Sequence, residues 1–519
     1  MHDRRLAARA GELKPSAVRE LLKHSKLPGV ISLGGGIPAP ELFDTEGLEL
    51  AVQKVMSERF NDAFQYGLTE GYPPLRQAVS EICHSRGVAC SAAQVYITSG
   101  SQQSLDIVAR TLLDPGDTIV VERPTYLAAL QVFQLAQANI LSVDTDDDGM
   151  LVEQLADLLE TTRVKAVYLV PTFGNPGGKT LSEARRRRLV ELAKKYDFVI
   201  LEDDPYGEIS FTDAVRRPLY QHAVELGCED QVVYTSTFSK ILAPGMRIGW
   251  IVMPDWLAQQ TVIVKQAADL HTNMLSQVIT AEYLSLNRLD NQIALIREDY
   301  RKKCVALADA LESRLGEHLE FSRPQGGMFL WARFRYPFDT MEWMKKTLEN
   351  GVVYVPGEAF YHDKPDTRTL RLSYSTVSEA GLLTAVERLA ASLLCCAPLF
   401  GGAQPCVTLT SSAGSIRFGD PVIEPDQHQR CEKSQRKGSN KQPHRRPSRV
   451  NYFADSTGER SLRSAMEILV PAEWLAREKK SSASISKLRI ISLYFPPLIN
   501  ALASLTLLAI MTGISFISF

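Results

Sequence analysis

The sequence predicts an α/β protein whose larger part is a mostly parallel β-sheet with helices on both faces. Four short runs rich in β-branched and aromatic residues have the length of buried strands: Thr118–Val121, Ala166–Val170, Phe198–Leu201 and Val232–Thr235. Segments between them, such as Ser182–Tyr196, have the composition of crossover helices. Strands that alternate with helices in this way are typical of a parallel sheet.

The pattern changes after about residue 290 and predicts a second, smaller α+β domain. A long helix is expected over Gln292–Leu315, followed by strand-like pieces at Met328–Phe334 and Leu370–Tyr374. An opening helix over Ser16–Lys23 is too short to fold independently. We therefore assign residues 45–290 to the large domain, and residues 10–44 and 291–395 to the small one.

Residues 396–489 form a basic stretch rich in Pro, Ser and Gln, and this composition predicts a disordered linker. Residues 490–519 contain no charged side chain, and the part from 498 to 519 is long enough to cross a bilayer as a helix. Two interpretations stay open for this end of the chain. It is either a membrane anchor or an aberrant extension produced by read-through or fusion of the gene.

The composition excludes several classes of protein. Across 519 residues the formal net charge is −2, with the basic surplus confined to the C-terminal stretch, so nothing indicates nucleic-acid binding by the main domains. The cysteines lack CxxC and His-rich spacing, which predicts unpaired thiols and no metal site: Cys83, Cys90, Cys228, Cys304, Cys395, Cys396, Cys406 and Cys431. No secretory signal opens the chain, so a cytoplasmic location is expected.

Lys240 lies in the run Ser236-Thr237-Phe238-Ser239-Lys240, with Arg247 seven residues later. A lysine amine forms a Schiff base with an aldehyde cofactor, and hydroxyls and an arginine beside it can hold a dianionic phosphate. Lysines between hydroxyls also occur by chance in surface loops. The run therefore predicts a pyridoxal phosphate site only if the other parts of such a site are present.

A second phosphate-binding element follows the strand Val95–Thr98. Ser99-Gly100-Ser101-Gln102-Gln103 precedes an apolar helix, so the free backbone amides of Ser101 and Gln102 would face an anion at the helix N-terminus. Thr237, Ser239 and Arg247 would complete the cradle.

The pyridine nitrogen of the cofactor needs a carboxylate partner, and Asp203 is the candidate because it follows the strand Phe198–Leu201. Glu202 and Asp204 are competitors. Tyr206, three residues beyond Asp203, can reach the phenolic oxygen of the ring.

Asn175 follows another strand end and could donate its amide to that phenolic oxygen. Asn-Pro-Gly is also ordinary turn chemistry, so this element alone decides nothing. Tyr126 could stack on the ring face. Arg371, on the expected strand Leu370–Tyr374, could bind the α-carboxylate of a substrate, although a strand arginine can also simply cover a surface.

With these residues in place, the chain resembles the class I/II aminotransferases of pyridoxal phosphate fold type I, particularly the 2-aminoadipate and kynurenine aminotransferase branch. The resemblance covers about residues 10–395. It rests on six motifs: Ile31–Pro38, Gln65-Tyr66-Gly67 with Gly71-Tyr72, Ser99–Gln103, Asp203–Tyr206, Ser236–Lys240 and Gln325–Phe329.

The resemblance implies a sheet of the seven-stranded type and roles for individual residues. Lys240 would carry the cofactor, Asp203 would bind the ring nitrogen, and Arg371 would bind the substrate carboxylate. Asn175 and Tyr206 would bind the phenolic oxygen. The resemblance also implies a homodimer in which Tyr66 reaches the neighbouring subunit's phosphate, while Gly35 lines the substrate pocket and Arg19 suits a distal carboxylate.

Two features depart from the family pattern. Gly174 and Gly177 flank Asn175-Pro176 where the family has Gln and a hydroxyl residue, which predicts a looser loop. The stretch after Cys396 has no counterpart.

The expected activity is amino transfer from an amino acid, such as 2-aminoadipate or an aromatic one, to a 2-oxo acid such as 2-oxoglutarate. Lyase or decarboxylase chemistry on the same fold is one alternative. A non-catalytic sensor domain of the MocR type is another, but only about thirty residues precede the glycine-rich segment, too few for a helix-turn-helix domain.

Overall fold

The computed structural model describes residues 7–11, 27–214 and 216–394. The predicted opening helix with Arg19, the basic linker 396–489 and the apolar segment 490–519 lie outside these residues. Within the described ranges, no helix is both long enough and apolar enough to cross a membrane.

The strands are short and, in the centre of the fold, buried on both faces. They are β1 (Ile31–Ser32), β2 (Val95–Thr98), β3 (Thr118–Arg123), β4 (Asn139–Asp146), β5 (Gly149–Met150), β6 (Ala166–Leu169), β7 (Val199–Asp203), β8 (Val232–Thr237), β9 (Gly249–Val252), β10 (Leu319–Phe321), β11 (Phe329–Phe334), β12 (Val352–Val353), β13 (Val355–Pro356) and β14 (Thr369–Ser373).

Helices fill the intervals between the strands. They are α1 (Ala8–Gly11), α2 (Thr45–Glu58), α3 (Phe60–Phe64), α4 (Pro73–Ser85), α5 (Ser101–Leu112), α6 (Leu127–Leu135), α7 (Val152–Leu159), α8 (Glu183–Tyr196), α9 (Leu219–Leu226), α10 (Asp255–Asp269), α11 (Met274–Ser285), α12 (Leu289–Leu315), α13 (Thr340–Glu349) and α14 (Glu379–Leu394). Short 3-10 helices cover Pro40–Leu42, Ala92–Gln94, Glu229–Gln231, Pro244–Met246 and Gly357–Phe360.

The main sheet has eight strands in the order β2-β9-β8-β7-β6-β3-β4-β5. β8, β7, β6, β3 and β4 run parallel to one another, whereas β9 and the two-residue β5 run antiparallel to them. The mostly parallel sheet predicted from the sequence is confirmed. Since β2 pairs antiparallel with β9, as β8 does, β2 and the parallel strands all end at the same edge of the sheet.

A separate antiparallel sheet follows the long helix α12. Its four strands lie in the order β10-β11-β14-β13, and β1 pairs with β12 in a parallel ribbon. Arg371 occupies the middle of β14, opposite Trp331 on one side and Val355 on the other. The smaller sheet therefore holds Arg371 from both sides.

A fully buried arginine on α8 braces the loop that follows β6. Arg186 is 1% exposed and donates to the carbonyl oxygens of Leu181, Pro171 and Arg217 and to the hydroxyl of Thr172, at 2.7–3.2 Å. Backbone carbonyl groups beyond the end of a strand have no hydrogen-bond partner in the sheet, and Arg186 supplies one. This loop carries Asn175.

Candidate active site

The predicted site residues converge at the edge where the parallel strands end. Asp203 is the last residue of β7, and Lys240 lies in the turn just after β8. Asn175 is on the loop after β6, and Ser101 begins the helix that follows β2. This is the position at which open α/β sheets bind ligands.

Lys240 is half-buried, and its Nζ donates to the carbonyl oxygen of Gly36 at 2.7 Å. Burial lowers the pKa of Lys240 to about 8, and the positive charges of Arg371 and Arg247 contribute in the same direction. Since both effects disfavour the ammonium form, the neutral amine forms at a lower pH than in an ordinary lysine. A neutral amine is the form that attacks an aldehyde.

Asp203 is buried and only half paired. Its Oδ2 accepts a hydrogen bond from the Tyr168 hydroxyl at 3.0 Å, while its buried Oδ1 has no hydrogen-bond partner among the described residues. Burial raises the pKa of Asp203 to about 7; the Tyr168 hydrogen bond opposes this shift and nearby Asp204 adds to it. A buried carboxylate oxygen without a partner is costly, and a cationic N–H donor such as a protonated pyridine would satisfy it.

The two competing carboxylates have structural partners instead. Glu202 accepts the backbone N–H groups of Leu219 and Tyr220 at 2.8 and 3.0 Å. Asp204 accepts from the Tyr234 hydroxyl and from the backbone N–H of Gly207, each at 3.0 Å. Neighbouring side chains alternate between the two faces of a strand, so Asp203 does not share the partners of Glu202 and Asp204.

Hydroxyls and an arginine from three segments form the expected phosphate cradle. Arg247 donates through Nη2 to the carbonyl oxygen of Ser99 at 2.9 Å and through Nη1 to the Ser239 hydroxyl at 3.4 Å. Thr237 donates to the same Ser239 hydroxyl at 2.9 Å. The buried Ser101 hydroxyl has no partner within the described part of the chain and remains able to bind an anion.

The backbone of the cradle requires glycine at position 100. Gly100 adopts φ +84°, and a Cβ there would lie 2.5 Å from Nη2 of Arg247. The following helix, α5, leaves the first N–H groups of Ser101 and Gln102 directed at the cradle. The Gln102 side chain is exposed and donates to the carbonyl oxygen of Ala128 at 3.4 Å, so only its backbone would serve the phosphate.

Arg371 is 3% exposed, and its guanidinium lies 4.2 Å from the ring centre of Phe329 and 4.9 Å from that of Phe360. Its Nη1 donates to Oδ1 of Asn175 and its Nη2 to the carbonyl oxygen of Gly34, both at 2.7 Å. Burial lowers the pKa of Arg371 to about 10. No carboxylate pairs with it among the described residues, so a carboxylate ligand would supply the missing counter-charge.

Asn175 and Tyr206 lie together beside Arg371. Because Arg371 occupies the Asn175 oxygen, the amide nitrogen is left to donate, and it bonds to the Tyr206 hydroxyl. Burial raises the pKa of Tyr206, so the phenol stays protonated. Tyr126, half-buried just before α6, has its pKa raised by burial and by the charge of Asp203.

Backbone contacts surround the loop that carries Asn175. The Gly174 N–H donates to the carbonyl oxygen of Lys179 at 2.9 Å, and a Cβ on Gly174 would lie 2.8 Å from the carbonyl oxygen of Val170. Asn175 itself is 7% exposed. Backbone contacts therefore leave no room for a larger residue at position 174, while the expectation of a looser loop stays a prediction.

Several contributors to the site were not found by sequence reasoning. Tyr168, Phe329 and Phe360 touch Asp203 or Arg371 from remote segments, and their only sequence signal is an aromatic residue on a buried strand or turn. The buried Gly35 was expected in the pocket, but it is the carbonyl oxygens of its neighbours, Gly34 and Gly36, that bind Arg371 and Lys240.

Tyr66 does not join the other residues. Its side chain is 78% exposed, and its ring meets His271 edge-on at 5.7 Å. Whether it serves a neighbouring subunit, as the resemblance implies, stays a prediction at this point.

Comparison with known proteins shows the family to which this chain is similar. Residues 32–389 match the family model of aminotransferase class I and II. The chain is 41% identical to the aromatic-amino-acid aminotransferase 1 of Thermococcus litoralis, over 76% of this chain and 94% of that protein. It is 36% identical to the 2-aminoadipate transaminase of Thermus thermophilus, over 74% and 95%.

Solved structures agree with these relatives. The kynurenine aminotransferase of Pyrococcus horikoshii, solved with PMP, superposes with a TM-score of 0.72 at 39% identity, over 76% of this chain and 97% of that one. The α-aminoadipate aminotransferase LysN of Thermus thermophilus, complexed with N-(5'-phosphopyridoxyl)-L-leucine, gives a TM-score of 0.72 at 34% identity, over 77% and 100%.

The lowered pKa of Lys240 predicts its reactivity in the cofactor-free protein. Competitive acetylation followed by mass spectrometry should give a labelling midpoint near pH 8 for Lys240. Arg371→Gln should move that midpoint upward, because removal of a nearby positive charge makes the ammonium form less unfavourable. Exposed Lys302 serves as the reference amine. A labelling midpoint for Lys240 close to that of an ordinary lysine would contradict the lowered pKa of Lys240.

Proposed function

Because this chain belongs to the class I and II aminotransferases and uses pyridoxal phosphate, we propose that it transfers the amino group of an aromatic or long dicarboxylic amino acid to a 2-oxo acid. The observation that carries this proposal is the meeting, at one sheet edge, of a lysine with a lowered pKa, a half-paired carboxylate and an arginine that has no carboxylate partner among the described residues. Lys240, Asp203 and Arg371 come from three separate segments. Within the described part of the chain, Asp203 Oδ1 and Arg371 Nε lack the partners that the cofactor and the substrate would provide.

The described residues match the individual parts of the cofactor, and this match gives the proposed contacts. The Asp203 Oδ1 would bind the ring nitrogen, while Asn175 and Tyr206 would bind the phenolic oxygen and Tyr126 would cover a ring face. Ser101, the backbone of Gln102, Thr237, Ser239 and Arg247 would bind the phosphate. Unpartnered buried atoms of Asp203 and Ser101 support this assignment, because each would gain a partner.

Pyridoxal phosphate supplies an aldehyde carbon that condenses with amines and a ring that withdraws electrons from the attached amino acid. Lys240 would hold the cofactor until the substrate amine replaces it. Its freed amine would then move a proton between the substrate Cα and the C4' carbon of the cofactor, which a pKa near 8 suits. Asp203 would keep the ring nitrogen protonated during this transfer.

The proposed substrate binds through its α-carboxylate to Arg371, which Phe329, Phe360 and Asn175 hold in a fixed plane. The relatives named for aromatic amino acids, 2-aminoadipate and kynurenine support a donor with a large side chain. We propose 2-oxoglutarate as the acceptor, with Arg19 binding a distal carboxylate.

We also propose that the active unit is a homodimer with shared sites. Large apolar side chains on α2, α3 and the segment after it are exposed: Leu50, Met56, Phe60, Phe64, Tyr66 and Leu68. Phe60, Phe64 and Tyr66 line a groove of about 650 Å³ with Tyr72 and Met274. An exposed apolar surface of this kind is typical of an interface, and a second copy of the chain would cover it and place Tyr66 at the neighbouring phosphate.

The comparisons do not favour the alternatives of lyase or decarboxylase chemistry and of a non-catalytic sensor domain. The lowered pKa of Lys240 and the raised pKa of Asp203, at the same edge of the sheet, also support catalysis rather than ligand sensing alone.

Lys240→Ala should abolish the absorbance band of the lysine-bound cofactor and lower turnover by at least about a thousandfold, because both the covalent attachment and the proton carrier are lost. Absorption spectra and product analysis by mass spectrometry measure the two effects. Lys302→Ala, at an exposed site, is the control. Turnover by Lys240→Ala at the wild-type rate would end the proposal.

Phe60→Asp combined with Phe64→Asp should weaken the dimer, since two charges would be buried in an apolar interface. Light scattering across a dilution series should show monomers at concentrations where the wild type is dimeric, with turnover falling in parallel. Leu295→Asp, which places a charge at another exposed apolar position, should leave the mass unchanged. A monomeric wild type with full turnover would refute the shared site.

A further inference from the structure

Lys265 is a buried charged side chain that is not among the proposed cofactor- and substrate-binding residues. It lies on α10 with a side chain 2% exposed, and its Nζ donates to Oδ1 of Asp269, one helical turn later, at 2.8 Å. Burial lowers the pKa of Lys265, while Asp269 opposes that shift. Burying a lysine is costly unless it is paired, so the pairing with Asp269 explains how it is tolerated but not why it is there.

The other oxygen of Asp269 leads toward the phosphate cradle. Gln103 Nε2 donates to Asp269 Oδ2 at 2.6 Å, and the backbone N–H of Ser99 donates to Gln103 Oε1 at 2.7 Å. The two contacts fix the orientation of the Gln103 amide, because only its nitrogen can donate to the carboxylate and only its oxygen can accept from Ser99. Gln103 therefore transmits the position of α10 to the turn before α5.

Ser99 is held at both of its polar backbone groups. Its N–H is bound by Gln103, and its carbonyl oxygen accepts from Arg247 Nη2 at 2.9 Å. The next residue, Gly100, takes the left-handed conformation that opens α5. Both the direction of the first helical N–H groups and the position of the Arg247 guanidinium therefore depend on how the Ser99 peptide is oriented.

We propose that Lys265, Asp269 and Gln103 form a positioning relay for the phosphate end of the cofactor site, an inference that rests on the proposed function. Asp269 and Gln103 orient the Ser99–Gly100 turn, and Lys265 neutralises Asp269 so that no unpaired anion lies behind a site that must bind a dianion. None of the three side chains touches the cofactor.

The relay predicts a loss of affinity that is specific to the phosphate. Lys265→Met should weaken pyridoxal phosphate binding to the cofactor-free full chain by about tenfold to a hundredfold, the range expected for one charged hydrogen bond. Binding of pyridoxal, which has the same ring and aldehyde but no phosphate, should change by less than about twofold on the same scale. Fluorescence titrations with the two ligands measure the ratio.

A double variant separates a charge relay from simple helix packing. Lys265→Met combined with Asp269→Asn removes both charges and keeps an oxygen that accepts from Gln103, so it should regain most of the lost affinity. If the residues only support packing, the second substitution adds a further loss. Should Lys265→Met not fold, Gln103→Met tests the same relay at a half-buried position and should give the same selective loss.

Lys302→Met is the matched control, because Lys302 forms an i,i+4 pair with Glu298 that is about half exposed. Equal weakening of pyridoxal and pyridoxal phosphate, or additive losses in the double variant, would overturn the relay while leaving the proposed function intact. A wild-type chain that binds neither ligand through Lys240 would instead overturn the proposed function and the relay together.

Discussion

Incomplete pairing of buried charge is the constraint on which this site depends. Among the residues that the structure describes, one buried oxygen of Asp203 has no partner and Arg371 has no carboxylate partner, although both side chains are almost fully removed from solvent. Folding leaves such groups unpaired at a cost of about 1–3 kcal/mol each, or more when they are charged. The surrounding structure must therefore hold them in place. A ligand that supplies a cationic N–H and a carboxylate would offset that cost at the moment of binding.

The architecture explains how the charges are held. Parallel strands bring Asp203 and Lys240 to one edge, while the smaller antiparallel sheet presents Arg371 from the opposite side. Two of the hydrogen bonds that join the two parts lie in the site itself: Arg371 to Asn175, and Lys240 to the Gly36 carbonyl. Arg371 also donates to the carbonyl of Gly34, within its own part. The glycine-rich segment after β1 thus binds both the cofactor lysine and the carboxylate-binding arginine. In the same way, the proposed relay from Lys265 supports the phosphate end from behind.

The central strands could be predicted from the sequence because burial on both faces leaves a strong local pattern, as in β2, which was placed at its observed bounds. The helices α8 and α12 could be predicted from their length and composition. Asp203 could be proposed as well, since it ends such a strand. Choosing it over Glu202 and Asp204 required the structure, because their partners, Leu219, Tyr220 and Tyr234, come from other elements. Tyr168, Phe329 and Phe360 were missed for the same reason. The need for glycine at position 174 comes from the fold of its own loop, which brings the Val170 carbonyl oxygen close, and glycine content alone cannot reveal it.

The most direct test of the proposed amino transfer is a single half-reaction. The full chain, loaded with pyridoxal phosphate, is mixed with an aromatic amino acid or 2-aminoadipate in the absence of any oxo acid, and the small molecules are identified by mass spectrometry. Each site should yield one equivalent of pyridoxamine phosphate and one of the matching 2-oxo acid, after which the reaction should stop until an oxo acid is added. Release of ammonia or carbon dioxide with the cofactor unchanged would contradict the proposed amino transfer.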